Sequence, residues 1–386
     1  MEYTTLPIGV TSPASARYDN QAKPPSHTPS GHSISFFENS LPPSIEAEMT
    51  RLYANFFSSP IKLRAYGQLD KVSTYVAHAD GSAKAIFILR LIGKEIHVLN
   101  EQVYIPQAEI TRFARYIFGR YKTATVICFK TVDTQLARFP YPYQRTYFTN
   151  DVVLALPNTV FEYQASLGKS TRENIKRYLK LLKRDFPSHQ FLVNEKNEGG
   201  DELFHAIIAF NHARMSGKNK TSGITSAEAE RLHALVKECG MVCTLMINGR
   251  VCAGTICYQI GDNYFMRVIA HDSAYNSYRL GLLCCYLTIT ECIIRGGKNY
   301  HFLWGREEYK YRFLGRHRDF DSLTIYRSRA RFFANTGPIL KTAVKAQVKK
   351  AKLWLLDPAN KDKALSLHAH RVMGLLKDST KTRPNA

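Results

Sequence analysis

The chain has 386 residues, 45% hydrophobic and 12% aromatic, with a formal net charge of +21. That length suits about two domains, and the apolar content excludes a disordered or fibrous chain. The charge is unevenly placed: from Arg327 to Ala386, fourteen Lys/Arg stand against only Asp357, Asp362 and Asp378. Such a field attracts polyanions, whether nucleic acid, an anionic membrane surface or phosphorylated substrates.

Eight cysteines are present without a single Cys-x-x-Cys pair, and most sit inside apolar runs. This spacing predicts packed thiols in a reducing compartment, with neither disulfides nor a metal site. Residues 1–34 are rich in Pro, Ser and Thr and read as a disordered leader lacking the apolar stretch of a signal peptide. No run approaches the length of a membrane span. The expected location is the cytoplasm, with the basic tail able to rest on the inner face of the membrane.

In chain order, "LPPSIEAEMTRLYANFF" predicts a helix opened by prolines. Strands are predicted at "IKLRAY", "KVSTYVAH", "KAIFILRL" and "EIHVLN", with Asp80-Gly81 as a hairpin turn. An amphipathic helix "AEITRFARYIFGRY" and a strand "TATVICF" follow. The second half repeats the plan. Helices are predicted at "STRENIKRYLKLLKRDF", where Ser170 and Glu173 have capping-box spacing, at "DELFHAIIAFNHARM" and at "SAEAERLHALVKECG". A three-stranded meander turns at Asn248-Gly249 and again at Gly261-Asp262-Asn263. The helix "YRLGLLCCYLTITECIIRG" and the strand "NYHFLWG" complete it. The expected class is α/β (α+β): two related halves at 35–150 and 151–330, each a mixed, mostly antiparallel sheet flanked by helices. A basic helical tail at 331–386, broken at Asp357-Pro358, is appended.

Chemistry is expected first at 271–283, "HDSAYNSYRLGLL". A long apolar helix starts there near Gly281, presenting unpaired amides and the positive end of its dipole. A glycine at that point lets an anion approach the backbone; it equally suits close helix–sheet packing. The second place is "HFLWGREEYKYRFLG", residues 301–315, which mixes aromatics and charges too densely for a simple strand or loop. On an edge strand Glu308, Lys310 and Arg312 would point outward as a solvated face. The helix at 171–184 carries Arg172, Lys176, Lys180 and Lys183 as a basic stripe opposite Ile175, Leu179 and Leu182. No helix-turn-helix, zinc-finger or aromatic RNA-binding motif accompanies the charge, which argues against sequence-specific nucleic-acid binding.

Taken together, "FLWGREEYKYRF", "FNHARM" and "STRENIKR", set within a meander, a glycine-bearing helix start and a following strand, resemble the GNAT acyltransferase superfamily. They are most similar to its branch associated with cellulose or exopolysaccharide biosynthesis, related to Fem-type transferases with two GNAT-like halves. The resemblance covers about residues 165–315. It departs from the family at Tyr278 and Leu283, which end the usual Gly-containing cofactor pattern, and at His301, where an Asp normally precedes Phe302.

The resemblance implies an N-acyltransferase using acetyl-CoA or another acyl-CoA as co-substrate. Its acceptor would be an amine on a sugar nucleotide, polysaccharide precursor or amino acid. Tyr278, Arg279, Leu280, Gly281 and Leu282 would hold the CoA pyrophosphate, with the pantetheine between strands 264–270 and 299–304. Glu308 or Glu307 would be the base, Tyr309 or Tyr311 the acid for the departing thiolate, and His271 a further catalytic candidate. Arg172, His212, Arg214, Arg306 and Lys310 would bind the acceptor. Two rival readings keep the fold: a Fem-like transferase fed by aminoacyl-tRNA, and a non-catalytic scaffold docked on an anionic membrane through its basic helices.

Overall fold

The computed structural model describes residues 33–196 and 201–356. The first half runs β1 (Ser33–Phe37), α1 (Pro43–Tyr53), α2 (Pro60–Ala65), β2 (Ser73–Ala79), β3 (Ser82–Ile92), β4 (Glu95–Val98), β5 (Val103–Tyr104), α3 (Gln107–Arg120) and β6 (Val126–Asp133). The second opens with β7 (Tyr143–Ala155), α4 (Val160–Ser166), α5 (Lys169–Asp185), β8 (Gln190–Glu195), α6 (Asp201–Ser216) and α7 (Ser226–Cys239). It continues through β9 (Gly240–Ile247), β10 (Arg250–Ile260), β11 (Asn263–His271), α8 (Leu280–Ile294), β12 (Asn299–His301), α9 (Glu308–Arg312) and β13 (Arg316–Tyr326). The helices α10 (Arg329–Ala334) and α11 (Thr336–Leu356) follow.

All three expected hairpins form, the third joining β10 to β11 at Gly261-Asp262-Asn263, and the first two do so for the expected reason. Asp80 and Gly81 have φ of 52° and 72°, and Asn248 and Gly249 of 50° and 73°, the left-handed pair that a tight two-residue turn requires. Among the described residues all the strands belong to one sheet, ordered β1-β2-β3-β4-β6-β13-β7-β12-β11-β10-β9-β8, with β5 beside β6. The halves share a plan. In the first, β2, β3 and β4 form a meander, α3 crosses over, and β6 returns parallel to β4. In the second, β9, β10 and β11 form the meander, α8 crosses over, and β12 returns parallel to β11.

The strands that close each half are exchanged. β7, which follows β6 in sequence, pairs with β12 of the second half, while β13, which follows β12, pairs with β6 of the first. The two then pair antiparallel along their length, from Arg316↔Val153 to Ile325↔Tyr143. Leu323 and Ile325 of β13 are accordingly buried in the core beneath α3. The expected division at 150/151 falls inside β7.

Four apolar clusters cover the sheet. In the second half, α4, α5 and α8 bury one face around Leu283, Cys285, Ile289 and Tyr300. On the opposite face α6 and α7 pack around Phe204, Ile207, Leu235 and Phe265. All eight thiols are free and all but Cys128 are buried; burial pushes the Cys257 thiol up to about 12.

Several local expectations are corrected. "IKLRAY" is mostly the helix α2, because Ser59 caps the Lys62 amide at 3.2 Å and Pro60 supplies its first turn. The cap of α5 is Gly168 without a side-chain bond, so Ser170 lies within the helix; the reciprocal capping box belongs instead to Thr159 and Glu162 on α4. The last predicted strand is only Asn299–His301, and the charged run behind it forms the helical turn α9 instead of an edge strand. Residues 1–32 of the expected leader and the expected break at Asp357-Pro358 lie outside the described residues, whereas Ser33 and Ile34 already pair within β1. Among the described residues no helix is long and apolar enough to cross a membrane.

Candidate functional site

The second half contains a fork. Parallel pairing of β11 with β12 lasts for three positions, Asn263↔Asn299, Tyr264↔Tyr300 and Phe265↔His301. Beyond them β11 runs on to His271, but the other branch leans away to β7: the Phe302 amide donates to the Val152 carbonyl at 2.8 Å, and the Val152 amide to the Leu303 carbonyl at 3.2 Å. On its far side β11 carries a bulge. Its register with β10 slips so that Val268 and Met266 face consecutive residues Ile256 and Cys257, and Arg267 is the extra residue. A bulge releases a backbone amide from the ladder and re-aims the strand.

The branch leaving β12 is under backbone strain. Leu303 has φ of 60° and Gly305 of 99°, and a Cβ on Gly305 would collide with the Glu307 carboxylate. Strain of this kind persists where surrounding contacts enforce it, and here Lys310 does so. Its ammonium, on a residue only 3% exposed, donates to the carbonyls of Leu303 at 3.3 Å and Trp304 at 2.5 Å and pairs with Glu307 at 3.0 Å. Lys310 is therefore occupied in holding the loop, and the expectation that it faces an acceptor is replaced by this structural one. Lys310→Ala should lower stability by about 2 kcal/mol, the worth of charge-assisted bonds to the Leu303 and Trp304 carbonyls. Urea unfolding measures this, and an unchanged midpoint would show that the loop holds without the ammonium.

A buried pair sits where the fork opens. His301 Nδ1 lies 2.6 Å from Asp151 Oδ2 of β7, with the two residues 7% and 2% exposed. The Phe265 ring stacks on the imidazole at 4.2 Å and 15°. A carboxylate only accepts, so Nδ1 carries the proton, and Nε2 is the nitrogen left with a lone pair when the ring is neutral. Phe265 and Leu303 belong to the cluster under α6 and α7, which puts the pair on that face of the sheet.

The opposite face holds the start of α8. Its cap residue, Arg279, is left-handed at φ of 52° and provides no side-chain bond to the first-turn amides. Leu280 is fully buried, Arg279 is exposed and Leu282 half-buried. The Tyr278 hydroxyl donates to Asp185 at 3.0 Å and its ring packs on Phe186, tying the turn to the end of α5. Gly281 lies against His271: a Cβ there would stand 3.0 Å from His271 Nδ1. His271 Nε2 is in turn bonded to Asn276 at 2.9 Å. The glycine thus serves close packing, one of its two sequence readings, at the very place where an anion would approach.

The remaining candidates are dispersed. Tyr309 packs edge-on against Phe302, and burial, then the nearby Cys285 and Glu307, push its phenol far above the usual range, offset by Arg214. Glu308 is exposed and paired with Arg312 at 2.7 Å. Arg306 meets His317 at 3.1 Å. His212 and Arg214 end α6, where His212 lines a cavity of about 480 Å³ with Ser216, Asn219, Lys220, Thr221 and Ser222. No fork residue lines that cavity. Arg172 is held by the carbonyls ending α4, at 2.6 Å to Ala165, while Lys176, Lys180 and Lys183 remain exposed.

Sequence reading missed the wall joining the halves. Arg267 donates to Glu228 at 2.8 Å and lies over the Trp304 ring at 5.0 Å. Tyr66 of the first half also donates to Glu228 at 2.8 Å. Burial opposes ionisation of Glu228, but Tyr66, Arg267 and Arg231 together hold its carboxyl below the usual value.

Residues 169–311 match the family model described as acetyltransferase (GNAT) domain. That segment is similar to a GNAT acetyltransferase domain. The matched range contains α8, the fork and His301, and stops just before the end of α9. No curated protein matches the chain. Among solved structures, that of FemX aligns with a TM-score of 0.53 at 8% identity, covering 75% of this chain and 96% of that one. That likeness shows a common fold extending over both halves. A conserved protein of unknown function from Bacteroides thetaiotaomicron aligns at 0.49 and 10% identity, over 74% of this chain and 96% of its own. L-PGS from Bacillus licheniformis aligns at 0.45 and 10%, over 75% and 93%.

Proposed function

We propose that the chain is an N-acyltransferase that moves an acyl group from acyl-CoA to an amine through the β11/β12 fork. The observation that carries this reading is the arrangement about the fork: an uncapped helix start on one face and a buried Asp151–His301 pair on the other. The first-turn amides of α8, with Arg279 exposed beside them, suit the pyrophosphate of a CoA ester. The thioester would then pass between the parting strands toward the α6/α7 face.

In this mechanism the acceptor nitrogen attacks the thioester carbon, and His301 Nε2 takes the proton that the amine loses. Asp151 fixes the tautomer and stabilises the imidazolium. The carbonyl oxygen, negative in the tetrahedral intermediate, accepts from the amide freed at the Arg267 bulge. Collapse breaks the carbon–sulfur bond, and the thiolate leaves with a proton. Burial makes the Tyr309 phenol a reluctant acid, so the imidazolium on His301 is the better donor. Glu308, paired outward with Arg312, is less suited to be the base than His301. His212 and Arg214, at the end of α6, would contact the body of an acceptor whose amine is carried on a sugar, polysaccharide precursor or amino acid.

Acetyl-CoA at a hundredfold excess over its dissociation constant should raise Tm by about 2–5 °C, and an amine panel scored by release of free thiol then finds the acceptor. No shift with any acyl-CoA, together with a salt-sensitive shift on adding aminoacyl-tRNA, would replace this reading with a Fem-like aminoacyl transfer. The likeness to FemX and the departures at Tyr278 and Leu283 favour that second possibility.

A further inference from the structure

The acyl-transfer reading leaves α10 and α11 without a task. From Arg329 to Leu356 the chain has seven Lys/Arg and no acidic residue. The segment is nevertheless seated on the body. Phe332 packs edge-on against Tyr326 at 5.3 Å, and Gln144 donates to the Ile339 carbonyl at 2.7 Å. The Lys349 ammonium donates to the Phe148 carbonyl and lies over the Phe148 ring at 5.3 Å. Phe332, Ile339, Ala343, Ala346 and Leu353 are half-buried on this inner side.

A second apolar side faces outward. Leu340, Val344 and Val348 are 66%, 54% and 63% exposed, and Phe333 just before them is 65% exposed. Spacing of four residues puts the three aliphatics in one stripe, and Lys341, Lys345 and Lys352 fall along one edge of it. A helix at the surface of a globular protein buries one apolar face and shows water a polar one. An outward aliphatic stripe edged by lysines has the make-up of a helix lying in a lipid headgroup layer.

We infer that α11 docks this protein on an anionic lipid bilayer, with Leu340, Val344 and Val348 entering the acyl boundary and the lysines meeting the headgroups. Charge complementarity selects this occupant. A second copy would set two segments of the same strong positive charge against each other. A nucleic acid would engage the lysines but gain nothing from aliphatic side chains, and the stripe offers no aromatic platform for bases. The inference stands apart from the proposed acyl transfer and survives its failure.

Sedimentation of the full chain with vesicles tests it. Phosphatidylcholine vesicles containing phosphatidylglycerol should bind the protein at least tenfold more tightly than pure phosphatidylcholine. The triple change Leu340→Gln, Val344→Gln, Val348→Gln should weaken binding to the anionic vesicles at least tenfold and leave Tm unchanged, because these side chains are already in water. Lys341→Glu with Lys345→Glu should weaken it similarly. A wild-type chain left in the supernatant overturns the inference. So does undiminished binding by the triple glutamine variant, which would mark a general polyanion surface, and so does a dimer in solution that the same variant dissociates.

Discussion

His301→Asn should reduce kcat/KM for acyl transfer by about 10²–10⁴-fold, the usual worth of a positioned general base, with little change in the affinity for acyl-CoA. Asparagine is the informative replacement. Its amide can still donate to Asp151, as Nδ1 does across 2.6 Å, while nothing remains at the position of Nε2. The loss should fall on kcat, since the base acts in the transition state. Asp151→Asn, which keeps the shape but disturbs the tautomer, should also lose activity. If His301 only pins β12 to β7, the asparagine variant, which keeps the bond to Asp151, would retain kcat together with Tm. That result would remove the pair from the mechanism.

The same pair marks the limit of what the sequence discloses. Periodicity found α3, α5, α6, α7 and α8, and the Asp80-Gly81, Asn248-Gly249 and Gly261-Asp262-Asn263 turns found three hairpins, because these signals act within a few residues of each other. The exchange of β7 and β13 was hidden, since nothing local in "YQRTYFTNDVVLA" says that its partner is β12 instead of the preceding β6. "IKLRAY" was misread because the alternation of Ile61 and Leu63 with Lys62 and Arg64 imitates a strand over so few residues, and the deciding capping bond comes from Ser59 outside it. His301 stood out as a departure from the family pattern, but its meaning required Asp151, 150 positions away, brought alongside only by the exchanged strand. Lys310 was misjudged for a related reason. Alternation along a presumed strand sent it to solvent, whereas a helical turn returns its ammonium to the Leu303 and Trp304 carbonyls. The bulge at Arg267 had no sequence signal at all, because it is a property of the pairing between two strands.

Gly281→Asp should abolish the Tm rise produced by acetyl-CoA and leave the unliganded protein folded. The two effects separate on physical grounds. A carboxylate in the first turn of α8 interacts favourably with the helix dipole, by about 0.3–1 kcal/mol, which offsets the tight 3.0 Å approach of the new Cβ to His271. The same carboxylate placed against a pyrophosphate opposes binding by direct repulsion in the site meant to hold an anion. Gly281→Ala divides the contributions further, because it brings the Cβ without the charge. If packing alone governs the position, alanine and aspartate should weaken acyl-CoA binding equally and both should lower Tm as His271 is displaced. If the amides at the start of α8 hold the pyrophosphate, alanine should cost a fraction of the affinity and aspartate nearly all of it. Full binding by the aspartate variant would place the CoA ester elsewhere, and with it the route of the thioester through the fork.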